Sequence, residues 1–225
     1  MRRRRARFRI RYYDAFSRVY DRFVAAHSSD REGQLRRVLA DETGLGPGDR
    51  VLDLCTGTGA MLPALAGRVA ERGLVVGLDF SGGMLSEAGK KTVGASGVAL
   101  VRADAELLPF RERSFHAVTC SHAFYELKGE GAEHALEEVA RVLRPGGRFL
   151  MMEHEVPASL PLRLLFYVRL LSMGLRKALE VLGHEEELFH RHFVAVERIP
   201  TSAGRSKIIA GRVESQPSPA ARRQP

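Results

Sequence analysis

The sequence predicts an α/β fold in which helices cover both faces of a mostly parallel sheet. The first observation is that short apolar segments alternate with amphipathic segments of helical length between residues 50 and 154. The second is a glycine-rich turn directly after the first apolar segment. The third is that the last two apolar segments follow each other without a helix between them, which predicts a closing β-hairpin.

The composition predicts one domain with an uncharged body. A chain of 225 residues with 44% hydrophobic content is long enough for one sizeable core. The net charge of +8 arises at the ends, since residues 1–11 contain seven Arg and no acid, whereas residues 12–212 contain 26 basic and 26 acidic residues. We therefore predict a basic disordered arm over 1–11, a single domain over 12–212 and a disordered tail over 213–225.

The same bulk properties argue against several classes of protein. A neutral body lacks the basic face of a nucleic-acid binder, so no specific nucleic-acid partner is expected. No apolar segment reaches the roughly 18 to 20 residues of a membrane span, and no apolar core of a signal peptide follows the arginine-rich start. We expect a cytoplasmic protein in which Cys55 and Cys120, both within predicted strands, are small reduced core residues.

The elements follow in chain order from the spacing of apolar residues. In the leading helix, Phe16, Val19, Tyr20 and Phe23 have the spacing of one helical face. Pro145 and the two glycines after it are expected to end the last helix in a loose exit. The predicted helices are 12–27, 31–44, 61–72, 81–91 and 131–143, and the predicted strands are 50–55, 74–80, 98–104, 115–121, 148–154, 193–200 and 205–213.

Residues 156–192 are predicted to be a helical insertion or lid. Its leucines and arginines fit either a core helix with a basic outer face or an interfacial helix that admits a lipophilic substrate from a membrane. In the second interpretation the arginine arm adds peripheral contact with anionic lipid. Its three histidines, His184, His190 and His192, lie beside acids but lack strict ligand spacing, so a solvated helix face is favoured and no metal is expected.

The turn after the first predicted strand is the most informative segment. In VLDLCTGTGA, residues 51–60, Gly57 and Gly59 let backbone approach a ligand closely and adopt φ values that a Cβ would forbid. In an open parallel sheet, ligands bind at the carboxyl ends of the strands, where this turn lies. The dinucleotide fingerprint G-x-G-x-x-G requires glycine where Leu62 stands, and Asp53 would repel a diphosphate. Asp53 therefore favours a cationic amino or sulfonium ligand over NAD.

Two further acids lie at the ends of the next two predicted strands. Asp79 follows Gly59 by twenty residues and occupies the position from which an acid accepts hydrogen bonds from both ribose hydroxyls. Asp104 ends the third strand and can accept a hydrogen bond from an exocyclic adenine amine. Acids on three successive strand ends suit an adenosine that carries a positive charge.

The segments DLCTGTG, GLDFS, RADAELLPF and LRPGGRFLMME, in this order and spacing, resemble class I methyltransferases that use S-adenosyl-L-methionine, in particular the ubiquinone and menaquinone biosynthesis C-methyltransferases. The resemblance covers residues 12–155. It implies a Rossmann-like fold, a mostly parallel seven-stranded sheet with an antiparallel C-terminal hairpin strand, and S-adenosyl-L-methionine as cofactor. The cofactor-binding residues that it implies are Tyr20, Asp53, Gly57, Gly59, Asp79, Phe80, Met84, Asp104, Ala105 and Ser121.

The resemblance assigns parts of the cofactor to these residues. Asp53 and the two glycines are expected to hold the methionine part, Asp79 the ribose, Asp104 with Ala105 the adenine, while Ser121 closes the floor. Tyr20 is expected either to fold over the cofactor or to pack on its helix face. Since the chain departs from the quinone enzymes before the first strand and after Glu155, the acceptor stays open.

Methyl transfer from a sulfonium releases a neutral thioether, so the protein mainly aligns the reactants and excludes water. A carbon or phenol acceptor also needs a base. His122 and Tyr125 follow the fourth predicted strand and are the catalytic candidates, with His122 as the base. The alternative for His122 is a structural hydrogen bond at the strand end.

The leading hypothesis is a methyltransferase acting on a small, lipophilic acceptor such as a quinone precursor. A phospholipid-amine N-methyltransferase is the alternative with the same architecture. An RNA methyltransferase would explain the arm, but the N/D-P-P-Y/F signature is absent after the fourth strand. A non-catalytic regulatory protein that binds S-adenosyl-L-methionine and a dinucleotide oxidoreductase stay open, and the sequence leaves the oligomeric state undetermined.

Overall fold

The structure is a computed structural model of the chain. It describes residues 10–21, 33–124, 127, 130–155, 160, 185–201 and 206–215.

The described residues form one seven-stranded sheet with the strand order β3-β2-β1-β4-β5-β7-β6. Each strand begins and ends within two residues of a predicted strand, except that β5 begins earlier than predicted. The strands are β1 (Arg50–Leu54), β2 (Leu74–Asp79), β3 (Val98–Arg102), β4 (Phe115–Ser121), β5 (Leu143–His154), β6 (Val194–Pro200) and β7 (Ser206–Arg212).

Helices precede β1, and single helices connect β1 to β2, β2 to β3 and β4 to β5, whereas a loop connects β3 to β4. The leading helix, α1, includes residues 10 and 11, which the sequence assigned to the arm. None of the helices that the structure describes has the length and apolar content to cross a membrane. The helices are α1 (10–21), α2 (Gln34–Glu42), α3 (Leu62–Val69), α4 (Gly82–Lys91), α5 (Glu130–Val142) and α6 (Glu185–His192).

Strands β1 to β5 pair in parallel, whereas β7 pairs antiparallel with both β5 and β6. Because β1 lies between β2 and β4, the strand order reverses beside it, and the crevice at this reversal is where an open sheet binds ligands. Two clusters of buried apolar side chains lie against the sheet. The predicted α/β fold, with its mostly parallel seven-stranded sheet and antiparallel C-terminal strands, is confirmed.

The end of α5 differs from the prediction of a loose exit at Pro145. Strand β5 begins at Leu143, which pairs with Phe115 before a register shift in the ladder. The backbone N–H of Gly146 donates to the carbonyl oxygen of Val213 at 3.0 Å. The segment around Pro145 is therefore extended, because the chain after β7 supplies hydrogen bonds that the sequence pattern does not show.

Cys55 also differs from the prediction, since it lies just beyond β1 and not within it. Its φ of 54° is in the left-handed region, where the chain leaves the strand to form the glycine-rich turn. Cys120 lies in β4 and pairs with Leu54 of β1, the residue directly before Cys55. Both are free thiols.

Candidate functional site

The glycine-rich turn lies between the carboxyl end of β1 and the start of α3. Gly57 and Gly59 have φ of 56° and 74°, the left-handed conformation that glycine adopts without strain. A Cβ on Gly59 would lie 2.8 Å from the Cβ of Ala88, so this glycine allows α4 to pack on the turn. A Cβ on Gly57 would meet nothing within 4 Å. Gly57 therefore leaves open space beside its backbone.

Asp79, at the end of β2, holds this turn in place. Its Oδ2 accepts a hydrogen bond from the backbone N–H of Gly57 and its Oδ1 from that of Ser81, each at 2.9 Å. The residue is 5% exposed, and burial raises the pKa of Asp79 above its ordinary value. The backbone of Phe80 also bonds to this carboxylate, and because a carboxylate has about four acceptor sites, Asp79 keeps some capacity for a ligand hydroxyl.

Asp53 lies beneath the turn and is 1% exposed. Its Oδ2 accepts a hydrogen bond from Thr56 Oγ1 at 2.6 Å, and its Oδ1 accepts one from Thr119 Oγ1 at 2.8 Å. Burial raises the pKa of Asp53 to about 6, against the effect of the two hydroxyls. Asp53 thus joins the turn to β4. The sequence did not identify either threonine, because the bond from Thr119 crosses 66 residues of chain.

The other predicted cofactor residues lie around the ends of β2, β3 and β4. Met84 and Ala105 are buried, whereas Asp104 is exposed and accepts a hydrogen bond from the backbone N–H of Glu106 at 3.1 Å. Phe80 and Ser121 are partly buried, and Ser121 is the last residue of β4. These placements leave the proposed roles of the five residues as predictions.

Helix α1 is anchored on the start of α4 by Asp14. The Asp14 carboxylate accepts hydrogen bonds from Ser81 Oγ at 2.6 Å and from the backbone N–H of Gly83 at 2.9 Å, and these bonds lower the pKa of Asp14. A Cβ on Gly83 would lie 2.6 Å from the Cα of Asp14. The two helices therefore approach each other closely only because residue 83 is glycine.

A second anchor lies about two helical turns further along α1, at Asp21. Thr58 Oγ1 of the glycine-rich turn donates to Asp21 Oδ1 at 2.6 Å, and Lys91 Nζ lies 2.7 Å from Asp21 Oδ2. Burial raises the pKa of Asp21, but the bonds from Lys91 and Thr58 outweigh this effect and lower it below its ordinary value. Asp14 and Asp21, seven residues apart on one helical face, were not recognised in the sequence.

The aromatic residues of α1 lie beside this anchored face. Tyr13 meets Phe80 edge to face with 5.5 Å between ring centroids, and Tyr20 meets Phe16 in the same way at 5.7 Å. Tyr20 is partly buried, so both of its predicted roles are left open. Val19, which shares its spacing with Phe16 and Tyr20, is 48% exposed, whereas the polar Asp14 and Asp21 make the anchoring bonds.

His122 follows β4 directly, with φ of 52° and its backbone N–H bonded to the carbonyl oxygen of Met152 at 2.7 Å. Its ring lies against that of His154 at the end of β5, with 4.4 Å between centroids. Burial of the ring, the neighbouring His154 and the charge of Arg36 hold the pKa of His122 well below its usual range. His122 is therefore a neutral imidazole at pH 7.

The Nδ1 atom of His122 is fully buried and has no hydrogen-bond partner among the residues that the structure describes. The segment after it is held by Glu153, whose Oε1 accepts a hydrogen bond from the backbone N–H of Phe124 at 2.8 Å. Tyr125, the second catalytic candidate, lies outside the described residues. The sequence did not identify His154 or Glu153, since only the pairing of β4 with β5 brings them to His122.

In the described part of the histidine-rich segment HEEELFHRH, the charged side chains make contacts between helices. His192 Nε2 and Arg191 Nη1 each lie 2.6 Å from a carboxylate oxygen of Glu133, which joins α6 to α5. Phe189 is fully buried. No group of three or more potential metal ligands occurs among the described residues, and His184 lies outside them.

These residues fit the cofactor that the sequence resemblance implies. The open side of Gly57 gives a ligand access to backbone, and Asp79 beside it retains some acceptor capacity for a ribose hydroxyl. The carboxylates of Asp53 and Asp79 favour a cationic ligand over a diphosphate at this edge of the sheet. The site therefore suits a nucleoside that carries a sulfonium group.

Comparison with protein families gives a match at the same segment. The family model described as a methyltransferase domain matches residues 51–147, which run from β1 into β5 and include the glycine-rich turn.

Curated relatives share this part of the chain. The demethylmenaquinone methyltransferase of Mycobacterium sp. (strain KMS) is 40% identical over 147 residues, which is 65% of this chain and 60% of the relative. The demethylmenaquinone methyltransferase of Bacillus cereus (strain AH187) is 35% identical over 159 residues, 68% of this chain and 66% of the relative. The chain thus spans less than two thirds of the length of these relatives.

Solved structures show the same fold. A SAM-dependent methyltransferase from Aquifex aeolicus superposes with a TM-score of 0.63 at 20% identity, covering 79% of this chain and 89% of the other. At that identity the likeness concerns the fold.

Proposed function

We propose that the chain is an S-adenosylmethionine-dependent methyltransferase that transfers a methyl group to a small lipophilic acceptor of the quinone-precursor type. Support for the acceptor comes from relatives named demethylmenaquinone methyltransferase at 35% and 40% identity. S-adenosylmethionine, when bound, supplies a methyl group activated by a positive sulfur.

The residues of this chain bind and orient the reactants. In the proposed mechanism, Asp79 accepts a hydrogen bond from a ribose hydroxyl while it holds the backbone of Gly57 in place. Asp53 keeps the turn attached to β4 and adds negative potential beneath it. Helix α1 closes one side of the site through Asp14 and Asp21, which limits access of water.

A carbon acceptor must also lose a proton, and His122 is the group that we propose to accept it. A general base is effective only in its unprotonated form, and His122 has a lowered pKa because of burial and its neighbour His154. Its Nδ1 makes no hydrogen bond to any described residue, so no described group competes for a proton at this nitrogen. The neutral, unpartnered Nδ1 of His122 at the end of β4 is the observation on which the proposed chemistry depends.

The test replaces His122 with Asn. Because residue 122 has a left-handed backbone, Asn tolerates the conformation better than other residues with a Cβ, and its amide is not basic. We expect His122→Asn to lower kcat for methylation of a demethylmenaquinol analogue by about 10²- to 10⁴-fold. Binding of S-adenosylhomocysteine, measured by calorimetry, should stay unchanged.

Extract methylation with labelled cofactor identifies the acceptor class independently. A labelled product that partitions into organic solvent and lacks an amine supports a quinone-type acceptor, whereas a labelled phospholipid amine supports the N-methyltransferase alternative. Cofactor binding without any labelled product would indicate a regulatory protein. Unchanged turnover in His122→Asn would remove His122 as the base.

A further inference from the structure

One face of helix α1 makes none of the contacts described above for the candidate site. Residues 11, 12, 15, 18 and 19 are all exposed, and their spacing places them on one side of a helix. Asp14 and Asp21 lie on the side bonded to the body. We call the five exposed residues the outer face of α1: Arg11, Tyr12, Ala15, Arg18 and Val19.

The outer face combines positive charge with apolar surface and contains no acid. Tyr12 and Val19 are 53% and 48% exposed, large fractions for such side chains. Neither Arg11 nor Arg18 has a carboxylate partner among the described residues. A helical face that mixes arginine with an interfacial aromatic residue is typical of helices that lie on a membrane surface.

The sequence before α1 adds to the same charge. Residues 1–9 contain six Arg and no acid, and they run directly into the first described residue of α1. Residues 12–212 contain equal numbers of basic and acidic residues, so most of the net positive charge of the sequence lies in residues 1–11. This charge is complementary to an anionic surface.

We propose that the outer face of α1 docks on an anionic lipid bilayer. The proposal rests on the proposed function in that a lipophilic acceptor would be dissolved in this bilayer. Since Asp14 and Asp21 fix the rotation of α1, docking of its outer face leaves Tyr13, on the adjoining side, in contact with Phe80 next to Asp79. The docked helix therefore holds the edge of the cofactor site near the lipid surface.

An anionic bilayer fits the outer face better than a nucleic acid does. Phosphate backbones select for basic and polar side chains, and Tyr12 and Val19 contribute exposed apolar area among the basic residues. In a bilayer the same side chains are buried at the boundary between headgroups and acyl chains.

The charge test uses the full chain with vesicles of phosphatidylcholine alone or mixed with phosphatidylglycerol. We expect binding to the mixed vesicles and little to phosphatidylcholine alone. Each basic side chain near an anionic surface strengthens partition onto the vesicles about fivefold, so Arg11→Gln with Arg18→Gln should weaken partition about twenty-five-fold. The matched control is Arg111→Gln with Arg113→Gln, two exposed arginines before the amino end of β4, which should leave partition unchanged.

The contact test uses the absence of tryptophan from the sequence. Val19→Trp introduces a single reporter on the outer face, and its emission should shift to shorter wavelength when mixed vesicles are added. Val194→Trp is the control. Val194 is 49% exposed, similar to Val19 at 48%, but it lies on β6, at the edge of the sheet opposite β3. The emission wavelength of Val194→Trp should not change when mixed vesicles are added.

Activity on a short-chain quinol without vesicles separates this proposal from the proposed function. If no quinol is methylated, the proposed function fails while vesicle binding still reports on the outer face. Equal partition of the Arg11/Arg18 and Arg111/Arg113 variants, or an unshifted Val19→Trp spectrum, would overturn the docking surface. Binding of RNA that depends on Arg11 and Arg18, without vesicle binding, would assign the face to nucleic acid instead.

Discussion

At the scale of single residues, hydrogen bonds stabilise the ionised form of the buried Asp53 carboxyl group. Burial raises its pKa to about 6, although the hydroxyls of Thr56 and Thr119 stabilise the ionised form. Because the folded pKa lies above the unfolded value, the folded state binds more protons between about pH 4 and 6. Ionisation of Asp53 therefore lowers the free energy of unfolding as the pH rises through this window.

Thr119→Val tests this balance. The change removes a donor to a buried carboxylate, and a hydrogen bond to a charged group contributes about 1.5–3 kcal/mol to the free energy of unfolding. We expect a loss of this size at pH 7 and a smaller one at pH 5, where the Asp53 carboxyl is mostly protonated. Chemical denaturation at both pH values measures the two losses.

Thr92→Val is the control for that experiment. Thr92 Oγ1 donates to the uncharged carbonyl oxygen of Ala88 at 3.1 Å, so its loss should be the same at both pH values. Equal losses at pH 5 and pH 7 for Thr119→Val would mean that the charge of Asp53 does not determine the strength of its bond.

At the scale of elements, the position of α1 depends on close contact with α4. Gly83 allows this contact, and Asp14 receives the hydrogen bonds that the start of α4 offers. The N-terminus of a helix is a favourable place for a carboxylate, because its free N–H groups carry partial positive charge. Helix α1 is thus attached through polar bonds at one face, which leaves its outer face exposed.

Gly83→Ala should detach α1 from α4. The new Cβ would lie 2.6 Å from the Cα of Asp14, so the helices must separate. We expect trypsin to cleave after Arg11 or Arg18 faster than in the unchanged protein, and affinity for S-adenosylhomocysteine to fall.

Gly67→Ala, in α3, is the matched control. A Cβ there meets nothing within 4 Å, and alanine favours a helix over glycine by about 1 kcal/mol. This variant should have equal or greater stability and unchanged cleavage in α1. Identical cleavage of the two variants would show that the contact at Gly83 does not hold α1.

At the scale of the whole molecule, the sheet brings distant segments to one edge. The strand order reverses beside β1, and the segments after β1, β2 and β4 supply Gly57, Asp79 and His122 to the same region. A ligand that contacts all three segments binds only the folded state. Its binding therefore raises the free energy of unfolding of the whole domain.

S-adenosylhomocysteine should therefore raise the thermal midpoint. At about 100 times its dissociation constant a ligand adds roughly 2.7 kcal/mol, which for a domain of this size is on the order of 5–10 °C. NADH at the same concentration should leave the midpoint unchanged. Thermal denaturation followed by circular dichroism measures both, and a shift with NADH alone would indicate a dinucleotide site.

The sequence by itself determined the strands, most helices and the glycine-rich turn. Apolar periodicity reflects which side chains are buried locally, and the left-handed backbone at Gly57 and Gly59 requires residues without a Cβ, so both are visible in a short window. The sequence also indicated Asp79 by its position at the end of a predicted strand, His122 by its position directly after one, and the family by the order of four segments.

Only the tertiary structure decided which partners these residues have. The bond between Asp14 and Gly83 spans 69 residues and that between Thr119 and Asp53 spans 66, and neither is encoded in local periodicity. The stacking of His122 on His154 and the extended segment at Pro145 likewise depend on pairing between strands. Helix α1 is likewise held by Asp14 and Asp21, whose partners Ser81, Gly83 and Thr58 lie 37 to 69 residues away along the chain.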